Sequence, residues 1–285
     1  MTGDALSRLA SRQRRLVGEW MPEARVLADH SWGLVDTVVL EVSDGRRRVI
    51  VKAGGVGNHH IDRELDAHEG FTAVWERSGA AARLLHADRA EKVAMLSYLP
   101  GTLAYRQPAA TDPLVHRRAG ELLRLFHGQA SRRGGRDAEC RDTERARAWL
   151  DAEHRIPADI EARLREELDA LDPGDPPLVP THGDWQPRNW LTDGDEVRVI
   201  DFGRFAFRAA ATDLARLTAQ EWRESPACEE AFLDGYGGDP RHPGHWRLVR
   251  LREAIGTAVW AFQVGDVDFE AQGHRMIAEL LAEQP

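Results

Sequence analysis

Cysteine is scarce in this sequence and long apolar runs are missing. The two cysteines, Cys140 and Cys228, stand apart in polar, charged stretches with no Cys-x-x-Cys neighbour. That excludes a disulfide framework and a zinc ribbon. No segment approaches the ~20 apolar residues of a bilayer span, so no membrane partner is expected. Arg8, Arg12, Arg14 and Arg15 mimic the basic start of a leader. No apolar stretch of roughly 7–15 residues follows them, and the chain reads as a mature cytoplasmic protein. Leu6, Leu9, Gln13, Leu16, Val17 and Trp20 instead predict an amphipathic helix. Basic charge is also short: 38 Lys and Arg face 47 Asp and Glu, for a net charge of −9. This argues against nucleic acid as a partner, because duplex binding needs a basic face. An acidic surface suits a cationic substrate, or simply keeps the protein soluble.

What is present is ample apolar material, 42% of residues, in a chain of 285, enough for one large core or two closely packed lobes. Two β-like runs, Leu34–Val42 and Arg48–Lys52, flank Ser43-Asp44-Gly45 and predict a hairpin. Gly54-Gly55-Val56-Gly57 reads as a flexible connector, and Arg63–Ser78 carries apolar residues at helical spacing. The run Val93-Ala94-Met95-Leu96 predicts a strand ending near Pro100-Gly101, the expected lobe boundary. Helices are expected beyond it, over Pro113–His127, Thr143–Leu171 and the chain after Asp213, around a β-rich island at Leu178–Asp201. The arrangement is α+β, with an N-terminal lobe over residues 1–100 and a C-terminal lobe over 101–285.

The chemistry concentrates in that island. His182-Gly183-Asp184 is followed by Asn189, and then by Val199-Ile200-Asp201-Phe202-Gly203. Phosphoryl transfer to an alcohol asks for a carboxylate that positions the hydroxyl and takes its proton, and for oxygen ligands to magnesium beside the triphosphate. Asp184 suits the first task, and Asn189 and Asp201 the second. Either motif alone is a polar turn of the kind found in many loops. Both, in this order across one hairpin, point to a kinase.

Together these residues resemble the catalytic core of the aminoglycoside phosphotransferase and choline kinase families, relatives of the protein kinases. The resemblance implies a bilobal protein-kinase-like fold, with a β-rich N-lobe binding ATP and a helical C-lobe binding a small-molecule hydroxyl acceptor. By the same resemblance Lys52 contacts the α- and β-phosphates and Glu64 pairs with it, with Glu69 as the competing partner. Read without the resemblance, Lys52 is an exposed strand-end lysine and Glu64 an acid at a helix N-terminus. The phosphate-covering loop is the poorest match, since Asp29-His30-Ser31-Trp32-Gly33-Leu34 has one glycine where protein kinases use Gly-x-Gly-x-x-Gly. Ser31 and Gly33 are its candidate backbone contacts. Met95–Gly101 resembles the hinge, where the Ser97 carbonyl and Leu99 amide would bond adenine with Met95 packing nearby. His182 and His127 are expected to be structural, and Asp213, in Asp213-Leu214-Ala215, to brace the catalytic loop.

Gly183 stands where protein kinases usually carry arginine, Gln186 where those acting on protein often carry lysine, and no Ala-Pro-Glu follows. These departures disfavour a protein substrate. An aminoglycoside or another hydroxyl-bearing antibiotic is the first expectation for the acceptor. A metabolic kinase of choline, homoserine or a sugar is the alternative, beside a non-catalytic ligand-binding protein, and either a monomer or a homodimer fits. The nine tryptophans divide by position: Trp185, next to the candidate base, is expected to line the acceptor pocket, whereas Trp222, Trp246 and Trp260 read as core.

Overall fold

The computed structural model describes residues 5–283 and is mixed α+β, rich in antiparallel sheet toward the N-terminus and in helix beyond. Helix α1 (Ser11–Trp20) precedes strands β1 (Arg25–Asp29), β2 (Val38–Ser43) and β3 (Arg48–Ala53). Helices α2 (His59–Gly70) and α3 (Ala73–Glu76) then lead to β4 (Leu84–Asp88) and β5 (Val93–Ser97). The five strands form one sheet in the order β1-β2-β3-β5-β4, each neighbour antiparallel. Side-chain alternation along β3 divides its work. Val49 and Val51 enter a core with Leu9, Val17 and Met21, while Ile50 and Lys52 face a cleft on the other side.

The connection from β3 to α2 is more closely packed than a flexible linker. Asn58 caps α2 by accepting from the His60 and Ile61 N–H groups at 2.9 and 3.2 Å, and its amide donates to Asp36 and Thr37 at 2.7 and 3.1 Å. A Cβ on Gly54 would come within 2.5 Å of the Asn58 side chain, so that glycine is required by close approach. The expected helix over 63–78 divides into α2 and α3, because the chain turns at Phe71-Thr72, where both N–H groups converge on the Ala67 carbonyl. The run expected from Leu34 begins as a strand only at Val38, after a turn over 33–36.

Strand β6 (Thr102–Leu103) opens the helical part. Helix α4 (Pro113–His127) starts where Asp112 caps the Leu114 N–H at 2.8 Å, with Pro113 at its first position, and buries Val115, Ala119, Leu123 and Phe126 along one stripe. The Arg- and Glu-rich stretch forms two helices, α5 (Gly135–Asp151) and α6 (Ala158–Ala170). Pro157, which has no N–H to continue a helix, precedes the second. Strands β7 (Leu178–Thr181), β8 (Trp190–Asp193), β9 (Glu196–Val199) and β10 (Ala206–Ala209) make up the embedded island. β8 and β9 form its hairpin with β6 alongside, whereas β7 pairs with β10. Helices α7 (Ala215–Ala219), α8 (Glu221–Glu224), α9 (Pro226–Tyr236), α10 (Pro243–Val264) and α11 (Val267–Ala282) complete the chain. Among the described residues no helix is long and apolar enough to cross a membrane.

Candidate active site

A cleft of about 680 Å³ lies between the sheet and the helical part, within the size range of ligand sites. One wall is the loop between β7 and β8. Asp213, just before α7, accepts from the His182 N–H at 2.8 Å and the Gly183 N–H at 2.6 Å. The His127 ring, itself bonded to the Tyr236 hydroxyl at 2.9 Å, holds the same carboxylate at 3.0 Å. Asp213 therefore anchors two consecutive backbone groups of the loop. His182 is fully buried, donates from Nε2 to the Ile200 carbonyl at 3.1 Å and accepts from the Asp184 N–H at 3.3 Å. Those bonds use both ring nitrogens in the neutral form and leave none to move a proton. Gly183 is fixed by geometry: its φ is +82°, and a Cβ there would lie 2.3 Å from the Arg204 carbonyl oxygen.

The loop presents Asp184 to the cleft. Its carboxylate accepts from Gln186 at 2.5 Å and from the Asn189 amide at 2.9 Å, and pairs with Arg216. Burial alone would raise its pKa, but Arg216 and then Arg204 outweigh burial and hold it below the ordinary carboxylate value. Asn189 spends its NH₂ group on Asp184, which leaves its amide oxygen as an acceptor.

The opposite wall carries Lys52. Its ammonium meets both oxygens of Glu64 at 2.8 Å and Asp201 Oδ1 at 3.1 Å, across 149 positions of sequence. Burial opposes the charge on Lys52, yet Asp201 and Glu64 push its pKa upward. Burial likewise opposes the charge on Glu64, but Lys52 and His68 bring it down to about 2. Glu69 is occupied elsewhere, by Arg89 at 2.9 Å. Asp201 adopts φ +66°, a left-handed conformation costing a non-glycine residue about 1 kcal/mol. Phe202 behind it is buried and packs its ring 5.1 Å from His68 and 5.0 Å from His182, tying α2 to the catalytic loop. His60 Nδ1 adds a bond to the Gly203 carbonyl at 2.8 Å.

Several expected residues are placed elsewhere. The Ser31 N–H donates to Asp29 Oδ1 and its hydroxyl accepts from the Val39 N–H, both at 2.9 Å, so in this structure Ser31 ties strand to strand. Neither Ser31 nor Gly33 lines the cleft; their neighbours Trp32 and Val35 do. Ser97 and Leu99 line it, and no hydrogen bond from the Leu99 N–H is found among the described residues. Met95 points the other way, into the core behind the sheet, because alternation along β5 gives the cleft face to Leu96. Trp185 is a second correction. It is 1% exposed and packs within a buried group, tilted against Trp75 and edge-on to Trp190. Trp260, read as core, lines the cleft instead, with its ring 5.5 Å from that of Trp32.

Arg216 was missed by sequence reasoning. It links Asp184 to Glu253 of α10, which it meets at 2.8 Å. Its place three residues after Asp213 was the available signal, but an arginine on a helix looks like any solvated one until its partners are known. Among the described residues no cluster of three or more His, Cys, Asp or Glu side chains is arranged to hold a metal alone. Asn189 and Asp201 offer two hard oxygens in a cleft sized for a nucleotide. That fits magnesium, which is commonly held by one or two protein oxygens together with phosphates and water.

The comparisons agree with this architecture. The profile of the phosphotransferase enzyme family matches residues 35–251. No curated protein matches the chain in sequence. Among solved structures, a thermostable mutant of aminoglycoside phosphotransferase APH(4)-Ia is similar over 94% of this chain and 97% of its own, with TM-score 0.69 and 17% identity. A choline/ethanolamine kinase family protein from Mesorhizobium loti covers 90% of this chain and 89% of its own, with TM-score 0.65 and 20% identity. A macrolide 2'-phosphotransferase from Brachybacterium faecium is similar over 91% and 93%, with TM-score 0.58 and 18% identity. With a braced Asp184 loop facing the Lys52–Glu64 pair, and a family profile spanning both, the chain belongs to the phosphotransferase enzyme family as an ATP-dependent small-molecule kinase.

Proposed function

We propose that the protein transfers the γ-phosphoryl group of ATP to a hydroxyl of a small antibiotic, as a cytoplasmic resistance or self-protection activity. The observation that carries this reading is the meeting of Lys52 and Asp201 at 3.1 Å, in the same cleft as Asp184 and Asn189. Lobes over residues 1–100 and 101–285 then supply the nucleotide and acceptor sides.

In this reading Lys52, held by Glu64, steadies the α- and β-phosphates, and the backbone at Ser97 and Leu99 receives the adenine edge. Asn189 and Asp201 would hold magnesium, which when bound would spread charge on the triphosphate. Asp184 accepts a hydrogen bond from the acceptor hydroxyl and aims its oxygen at the γ-phosphorus. The new P–O bond forms as the bond to the β–γ bridging oxygen breaks; ADP leaves and the hydroxyl proton passes to Asp184. A carboxylate held below its ordinary pKa is a weak base. Its main contribution is therefore orientation, with proton transfer late, as suits a loose phosphoryl transition state.

Magnesium-dependent ADP release across antibiotics, choline and sugars tests the reading, with Asp184→Ala as control. Acceptor-dependent turnover that disappears in the variant supports it, and normal turnover by the variant removes Asp184 from its role. The choline/ethanolamine kinase neighbour favours one rival, a metabolic kinase, which turnover of choline alone would establish.

A further inference from the structure

Away from the phosphate-facing groups, the cleft is aromatic. Trp32, on the connection between β1 and β2, leans on Trp260 of α10 with ring centroids 5.5 Å apart and planes tilted by 38°. Trp260 meets Phe269 of α11 edge-on at 6.0 Å. All three rings line the same cleft as Asp184, and Trp32 remains 44% exposed although it touches another indole. Trp260 lies seven residues beyond Glu253 on one helix, hence on the same face and about 10 Å further along. Glu253 holds Arg216, which holds Asp184. The rings therefore stand at a fixed distance from the candidate base, a span comparable to one or two sugar rings.

The charges of the cleft tell the complementary story. Glu41 is engaged by Arg48 and His30, Glu64 and Asp201 by Lys52, and Asp184 by Arg216. Among the described residues only Asp266 lines the cleft without a cationic partner, and its side chain already accepts from the Phe269 N–H at 3.1 Å. A polycation would thus find one carboxylate free to receive it, while a broad apolar face would find three rings.

We propose that Trp32, Trp260 and Phe269 form an acceptor subsite shared by the two sides of the cleft, selecting hydroxyl compounds with a broad, largely uncharged face over polycationic ones. The proposal rests on the phosphotransferase reading and names its acceptor class. Trp32 closes the subsite from the sheet side, and Trp260 and Phe269 form its floor.

The test is calorimetric titration of the wild-type enzyme and of Trp32→Ala and Trp260→Ala, each with magnesium and a non-hydrolysable ATP analogue present. The probes are erythromycin and 4-nitrophenyl β-glucoside as broad-faced hydroxyl compounds, and kanamycin as the polycation. At least one broad-faced probe should bind more tightly than kanamycin, and its Kd should rise about tenfold in each alanine variant. Trp260→Phe, which keeps a ring, should stay within about threefold of wild type. The affinity for the nucleotide analogue should not change. Tighter binding of kanamycin, no binding of either broad-faced probe, or an unchanged Kd in both alanine variants overturns the proposal. Titration of Asp184→Asn separates the two readings, because loss of catalysis with retained probe binding leaves the subsite standing whatever becomes of the base.

Discussion

The catalytic loop and the connection between β1 and β2 face one another across the cleft and are built in opposite ways. In the loop, Asp213 holds two backbone N–H groups, His182 is fully buried, and Asp184 receives three side-chain partners. The connection exposes Trp32, Leu34 and Val35, and is tethered through Ser31, Asp29 and Asp36. A group that must meet a phosphorus atom in line needs fixed geometry, whereas a cover over varied ligands needs room to adjust. On the proposed reading, chemistry would sit on the over-determined segment and selection on the lightly tethered one.

The largest effect should come from the loop. Asp184→Asn is expected to lower kcat by about 10³-fold while ATP binding persists, read by steady-state kinetics and nucleotide titration. Its pH profile offers a second check. A carboxylate held below its ordinary 3.8 stays ionised until the pH falls through that lowered value, so kcat/KM should show no acid limb between pH 5 and 7. A limb near the pKa of histidine would move the base elsewhere. Next in size is Lys52→Met, which leaves Glu64 buried with only His68 beside it, at 3.7 Å; kcat/KM for ATP should fall roughly 100-fold and stability by about 3 kcal/mol in urea unfolding.

Asp213→Asn keeps shape but has one acceptor oxygen for two backbone donors and a histidine. It should cost about 1–3 kcal/mol of stability and lower kcat with little change in KM. A variant with native stability and activity would break the claim that the loop is over-determined. Glu221 supplies a control, since its Oε2 is buried without a partner and burial pushes its pKa up to about 7, opposite to Asp184. A raised carboxyl loses folding stability as pH climbs from its ordinary 4.5 toward 7. Glu221→Gln should therefore stabilise the protein at pH 8, by roughly 1–3 kcal/mol, and change little at pH 4.5. The smallest effect belongs to the connection: Ser31→Ala removes one hydroxyl contact to Val39 and should change kcat by less than about threefold.

The same contrast explains what the sequence disclosed. His182–Asn189 and Asp201–Gly203 stood out because phosphoryl transfer demands particular residue types at particular spacings, whereas Lys52 and Asp213 were picked out only by the family resemblance. Edge strand β1 alternates in exposure, but apolar Leu27 stands on its exposed face and blurs the pattern, while β4 has no fully buried position to mark one. The tryptophans were misassigned for a related reason. Adjacency to Asp184 suggested a pocket for Trp185, but that residue points into the core, while Trp260 reaches the cleft from a helix remote in sequence. Composition along the chain carries no record of which helix face a distant loop will meet.

Gly183 has a consequence for control. Some kinases stay silent until a phosphate on a neighbouring segment docks on an arginine and draws the active geometry together. A side chain at 183 would collide with the Arg204 carbonyl, and Asp213 already holds the loop, so that docking point has no room here. Folding itself sets the loop, so a side chain added at 183 would distort the geometry around Asp184 instead of adding a point of control.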